Sequence, residues 1–160
     1  KLGLGAYDAG VLTVEKDIAD YFESALALHA NAKSMANWII NEMQLNIAIS
    51  AAQLAELVKL IDDRVISGTI AKTVYEELLK NPASSPTEIV ETKGLKMQRD
   101  TGALQKLIEE VCTKHTPEVE KYKAGKTQVF GFFVGQVMKL TQGKADPVEA
   151  TELLKKYLGN

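Results

Sequence analysis

Apolar positions recur along this chain at intervals of three and four residues, the period of helices that bury one face. Val14, Ile18, Tyr21, Phe22, Ala25 and Leu26 mark a first stripe, opened by Thr13 as cap with Glu15 and Asp17 in the first turn. Before it, Tyr7-Asp8-Ala9-Gly10 reads as a turn. A second helix carries Ala32, Met35, Ala36, Trp38, Ile39, Ile40 and Met43, with Trp38 as a core anchor. Ser50 and Gln53 form a capping box for a helix over 51–63, whose stripe is Leu54, Leu57, Val58 and Ile61. A turn at Ser67-Gly68 leads into a helix over 69–80. After the breaker-rich 81–86, Ser85, Pro86 and Glu88 supply cap, first-turn proline and acid for a short helix that stops before Gly94. Beyond it come helices over 103–114, with Leu104, Leu107, Ile108 and Val111 inward, and from Thr116-Pro117 to Tyr122. The last helix starts at Asp146-Pro147 with Glu149 in its first turn. No period-two alternation of useful length appears, so no sheet is expected. The pattern predicts an all-α, multihelical fold of two stacked helical subdomains, 1–94 and 95–160, joined along KGLKMQRDTG.

The stretch 125–139, GKTQVFGFFVGQVMK, stands apart. Its apolar run is roughly half the ~20 residues a membrane span needs. At 100° per residue it makes one helix with two faces. Val129, Phe133, Val137 and Leu140 share one side, flanked by Phe130 and Phe132. Gly131 and Gly135 share the other, beside Gln128, Lys139 and Gln142. Each glycine inside a helix costs about 1 kcal/mol relative to alanine, so two on one face ask for a reason. One reason is close packing of another helix against a strip without side chains. The other is access: a bare backbone edged by lysine and glutamine admits a phosphate-bearing ligand.

Composition sharpens this only in places. With 46% hydrophobic and 25% charged residues, the 160-residue chain has an ordinary globular balance and can bury a core. The single Cys112 excludes an internal disulfide and favours a reducing compartment. With no apolar leader visible, a soluble, cytoplasmic protein is expected. The chain opens on Lys1 rather than methionine, and KLGLGAYDAGVLT suggests the middle of a longer protein. The net charge of −2 hides an asymmetry: Lys1–Gly94 carries 8 basic and 13 acidic residues, Leu95–Asn160 carries 11 and 8. The C-terminal part is thus net +3, compatible with an RNA surface.

Catalytic patterns are missing. His29 and His115 have no second ligand at metal spacing. Gly125-Lys126-Thr127 lacks the phosphate-loop glycine five positions before, where Glu120 stands. No G-x-S-x-G elbow occurs. The pairs Asp62-Asp63, Glu76-Glu77 and Glu109-Glu110 point about 100° apart on their helices, as solvated surface acids do. No catalytic, cofactor-binding or metal-ligating residue is assigned.

Three separated segments carry a family resemblance. G-K-x-x-x-F-G-F-x-V-G-Q-V-M-K at Gly125–Lys139 resembles the C-terminal signature of the B subunit of glutamyl/aspartyl-tRNA amidotransferase, the GatB/YqeY-type domain. AKSMANWIINEM at 32–43 and IDDRVISGTIAK at 61–72 resemble two further segments of the same family, in the right order. Arg64 departs from it, standing where glycine is common; a positive φ there would strain the arginine. The resemblance covers nearly the whole chain and implies the helical and tail portion of the B subunit. The Tyr7–Thr13 and Ala36–Trp38 segments favour that protein over small free-standing ones sharing the tail motif. The parent would be a heterotrimeric ligase that makes Gln-tRNA(Gln) or Asn-tRNA(Asn), with glutamine as amide donor. ATP and magnesium would belong to a missing N-terminal cradle domain, and the A and C subunits of the amidotransferase would be partners. The portion here would be non-catalytic and hold tRNA at its elbow, where the D-loop lies. No membrane or DNA partner is implied. The expected tRNA-binding residues are Lys126, Gln128, Gly131, Gly135, Lys139, Gln142 and Lys144. The alternative is a helical module acting as a protein scaffold, its glycine strip seating a partner helix.

Overall fold

The structure, a computed structural model, describes residues 3–97 and 101–159. Among these residues it holds ten α-helices and no strand. The chain divides into two compact units, Lys1–Leu95 and Lys96–Asn160. The joint expected across 93–102 falls partly on 98–100, outside the described residues.

The first unit contains α1 (Ala6–Thr13), α2 (Lys16–Leu28), α3 (Ala32–Asn37), α4 (Ala51–Asp62), α5 (Gly68–Lys80) and α6 (Pro86–Thr92). Its core gathers Ala25 of α2, Met35 of α3, Leu54, Leu57 and Val58 of α4, Val74 and Leu78 of α5 and Val90 of α6, all fully buried. The capping box expected at Ser50 and Gln53 is present, with both reciprocal bonds. Gln53 does more than cap: its Nε2 donates to the carbonyls of Pro82 (2.9 Å) and Ser84 (2.8 Å), tying α4 to the loop before α6. Ser85 and Glu88 form a second box under α6. At the far end of α4, Asp62 accepts from Asn31 (2.7 Å) and lies 2.6 Å from His29, which pins the α2–α3 turn.

The N-terminal helices depart from expectation at three points. Tyr7-Asp8-Ala9-Gly10 is not a turn but part of α1, whose first turn places Asp8 at the positive helix end. Thr13 does not cap α2. Its hydroxyl donates back to the carbonyls of Ala9 (2.8 Å) and Gly10 (3.1 Å), the usual choice for a threonine already in helical backbone. The expected single helix over Ala32–Met43 breaks its period: Trp38–Glu42 is a π-helical turn, closed by the Met43 N–H on the Trp38 carbonyl at 2.8 Å. Trp38 is nevertheless the core anchor expected, meeting Tyr75 edge-on at 5.9 Å. Arg64 adopts the left-handed conformation, φ +53°, because α4 ends in a Schellman motif: Val65 N–H donates to Leu60 and Arg64 N–H to Ile61.

The second unit contains α7 (Thr101–Lys114), α8 (Thr116–Lys123), a 3₁₀ turn at Thr127–Val129, α9 (Phe130–Leu140) and α10 (Pro147–Leu158). α7, α9 and α10 pack on one another, burying Leu104, Ile108, Val111, Phe133, Val137, Ala150, Leu154 and Leu158. Asp146 caps α10 as expected, its Oδ1 accepting from the Val148 and Glu149 N–H groups. The expected helix over 125–139 begins later than its sequence suggests. Gly125, at φ +93°, ends α8 in a Schellman motif, so the chain reverses before it can enter α9.

α9 ends the same way, with Gly143 N–H on Met138 (2.8 Å) and Gln142 N–H on Lys139 (3.1 Å). The left-handed position is Gln142, at φ +53°, and its side chain is exposed. An L-residue with a Cβ is disfavoured there, so Gln142→Gly is expected to stabilise the chain by about 0.5–1 kcal/mol. A melting midpoint that falls in this variant would contradict the strain.

Candidate nucleic-acid interface

The sequence of α9 sorts itself by what its neighbours leave room for. Phe130, Phe133, Val134, Val137 and Met138, at spacings of three and four, form the stripe that meets α7 and α10. The stripe is rotated from the one expected. Leu140, expected inward, is 56% exposed, and Val129 is only half-buried. Phe132, expected to flank the core, stands on the outward face at 38% exposure. Phe133 and Val137 belong to either stripe, and the packing of α7 and α10 covers the side they share with Val134 and Met138 rather than the side they share with Leu140.

Gly131 and Gly135 lie on the outward face, and a Cβ built on either would meet nothing within 4 Å. Among the described residues of the second unit, no helix seats on the strip. Lys139 is one turn beyond Gly135, exposed, in the last turn of α9. Gln142 follows at the left-handed position, and Lys144, half-buried, lies just past the reversal. Lys126 and Gln128 are exposed at the other end, in the approach to α9. Of the seven expected residues, five thus fall into two groups at the ends of an eleven-residue helix, about 16 Å apart, with the two glycines between.

The charge of this segment is one-sided. From Lys121 to Ala145 the chain has five lysines and no aspartate or glutamate. Lys121 reaches back to Glu118 at 3.7 Å. Among the described residues Lys123, Lys126, Lys139 and Lys144 have no ion-pair partner. Together they give this segment a positive local potential. An aromatic pair, Phe132 edge-on to His115 at 5.0 Å, completes the surface. Neither residue stands out as a site in the sequence. The signal is there once the stripe is correctly phased, because Phe132 falls near the middle of the polar side of α9.

Elsewhere the chemistry is plain. Burial pushes the Cys112 thiol up, away from a reactive thiolate. Burial also raises Tyr21, which donates to the Ser50 carbonyl at 3.3 Å. The concavity of about 360 Å³ beside the π turn has Lys33, Asn37, Trp38 and Lys72 in its wall, but Lys72 is held by Glu42 at 3.0 Å. Among the described residues no three His, Cys, Asp or Glu side chains gather as metal ligands, and no helix is long and apolar enough to cross a membrane.

Residues 20–158 match a family profile described as the GatB domain. The chain belongs to the GatB family. Among curated relatives it is 49% identical over 168 residues to the B subunit of the aspartyl/glutamyl-tRNA(Asn/Gln) amidotransferase of Gloeothece citriformis, covering 99% of this chain and 34% of that protein. The B subunit from Geotalea daltonii is 45% identical and that from Persephonella marina 49%, each again over 99% of this chain and 35% of the relative. The chain thus spans about a third of the length of the relatives it matches.

Proposed function

We propose that this chain is the tRNA-holding portion of an amidotransferase B subunit. The parent enzyme would convert Glu-tRNA(Gln) or Asp-tRNA(Asn) to the amidated forms with ATP and glutamine. The observation that carries the reading is the open face of α9: two side-chain-free positions between unpaired lysines, in a run without one acid. The names of the relatives supply the class of RNA. The face suits backbone recognition, since phosphate contacts position structured RNA and shape rather than base sequence selects it.

Among the described residues there is no phosphate loop and no group of three or more His, Cys, Asp or Glu side chains, and no catalytic step is assigned to them. That chemistry would belong to the rest of the parent, with the A and C subunits as its partners in a cytoplasmic heterotrimer. Within tRNA the elbow, where the D-loop lies, is the region this portion would hold.

The test is a salt titration of tRNA(Gln) and tRNA(Asn) binding to the 160-residue chain. If about three lysines each neutralise one phosphate, affinity falls roughly 20–40-fold between 50 and 200 mM salt. Absence of binding at low salt would leave the strip to a protein helix and the scaffold reading.

A further inference from the structure

We propose that Phe132, braced by His115, is a stacking platform for one unpaired nucleobase of the bound RNA. The proposal rests on the tRNA reading above and assigns that face a second mode of contact, to a base rather than to phosphate.

The position of Phe132 is the first observation. On a helix whose inward stripe is Phe130, Phe133, Val134, Val137 and Met138, an aromatic ring belongs inside, yet this one stands on the opposite side. Its companion is the second. The His115 and Phe132 rings meet at 88°, centroids 5.0 Å apart, so His115 fixes one side of the ring. Phe133 meets it edge-on at 5.6 Å from the core side, which limits its rotation further. A ring held on two sides keeps its orientation, and little side-chain entropy remains to be lost when a flat ligand settles on it.

The third observation is what surrounds the ring. Its chain neighbour Gly131 and its neighbour three positions on, Gly135, contribute no side chain, so α9 is open along the glycine edge beside the ring, while Gln128 and Gln136 flank it four positions either way. A glycine strip alone would serve phosphate or a partner helix equally. A fixed aromatic ring between two such glycines, on a face with unpaired lysines at both ends, favours an occupant both flat and anionic. Unpaired nucleotides answer that description, because every base has a π-face and every phosphate a charge. A paired base in an A-form duplex does not, since its faces are already stacked.

The experiment measures affinity of the 160-residue chain for a tRNA, whose loops expose unpaired bases, and for a fully paired RNA duplex of similar length. Wild type, Phe132→Leu and Phe132→Trp are compared, with melting midpoints recorded for each. Leucine keeps an apolar side chain and favours helix, while tryptophan keeps the π-face. Phe132→Leu is expected to lose roughly tenfold in tRNA affinity, while duplex binding is unchanged and the melting midpoint is maintained. Phe132→Trp should bind tRNA as tightly as wild type or more so. Wild-type tRNA binding that Phe132→Leu leaves untouched, or weakens equally for tRNA and duplex, overturns the platform and leaves the tRNA reading standing. A wild-type chain that binds neither RNA overturns both. If both variants lose tRNA binding together with thermal stability, Phe132 is a packing residue and the platform is overturned.

Discussion

Replacing Phe133 by alanine is expected to cost the second unit about 3–5 kcal/mol, the range for emptying a fully buried aromatic site. The ring is at 0% exposure among side chains of α7 and α10. A unit of this size has roughly 3–10 kcal/mol of stability in all, so the loss takes a large share of it. The consequence is separable by probe. Trp38 is the single tryptophan and lies in the first unit, so its fluorescence reports that unit alone. Circular dichroism reports both. We expect the variant's dichroism to show an early transition while the Trp38 transition keeps its wild-type midpoint. A Trp38 transition displaced to the same extent would mean that the two units unfold as one. An unchanged dichroism midpoint would mean that Phe133 is not the centre of its core.

Gly135→Leu should act in the opposite sense on stability and strongly on RNA. Leucine favours helix over glycine by most of 1 kcal/mol, and the added side chain enters open space. The fold should therefore be as stable as wild type or slightly more so. The same side chain covers backbone that RNA would approach and crowds the Phe132 ring one turn back. Affinity for tRNA should fall by about tenfold, equivalent to about 1.4 kcal/mol. Melting of the variant, with tRNA affinity measured beside it, checks both halves. A drop in stability would mean that this face packs against protein after all; unchanged affinity would take RNA away from it.

Helix-start chemistry was legible in the sequence wherever it is local. The boxes at Ser50–Gln53 and Ser85–Glu88 and the Asp146 cap form because donor and acceptor are within four residues of each other. The all-α class was legible for the same reason, since stripes of period 3.6 need no knowledge of partners. The left-handed Arg64 was foreseeable as a condition, not as a fact, because only the terminal hydrogen bonds of α4 fix its φ. Thr13 shows the limit. Its hydroxyl could cap the next helix or close the previous one, and local propensity does not rank the two.

The candidate face divides along the same line. By itself the sequence determined that Gly131 and Gly135 share a helix face, and that five lysines and no acid lie between Lys121 and Ala145. Spacing and count suffice for both. Only the tertiary structure decided whether that face is open. Openness is a property of every other element, here of α7 and α10 packing on Phe133 and Val137 instead. It also decided the side on which Phe132 stands. Phe133 and Val137 fit two neighbouring stripes, and whether Leu140 or Val134 and Met138 completes the buried one depends on where α7 and α10 pack, which spacing along α9 does not state. Contact between Phe132 and His115, seventeen positions apart, likewise exists only because α7, α8 and α9 fold back on one another.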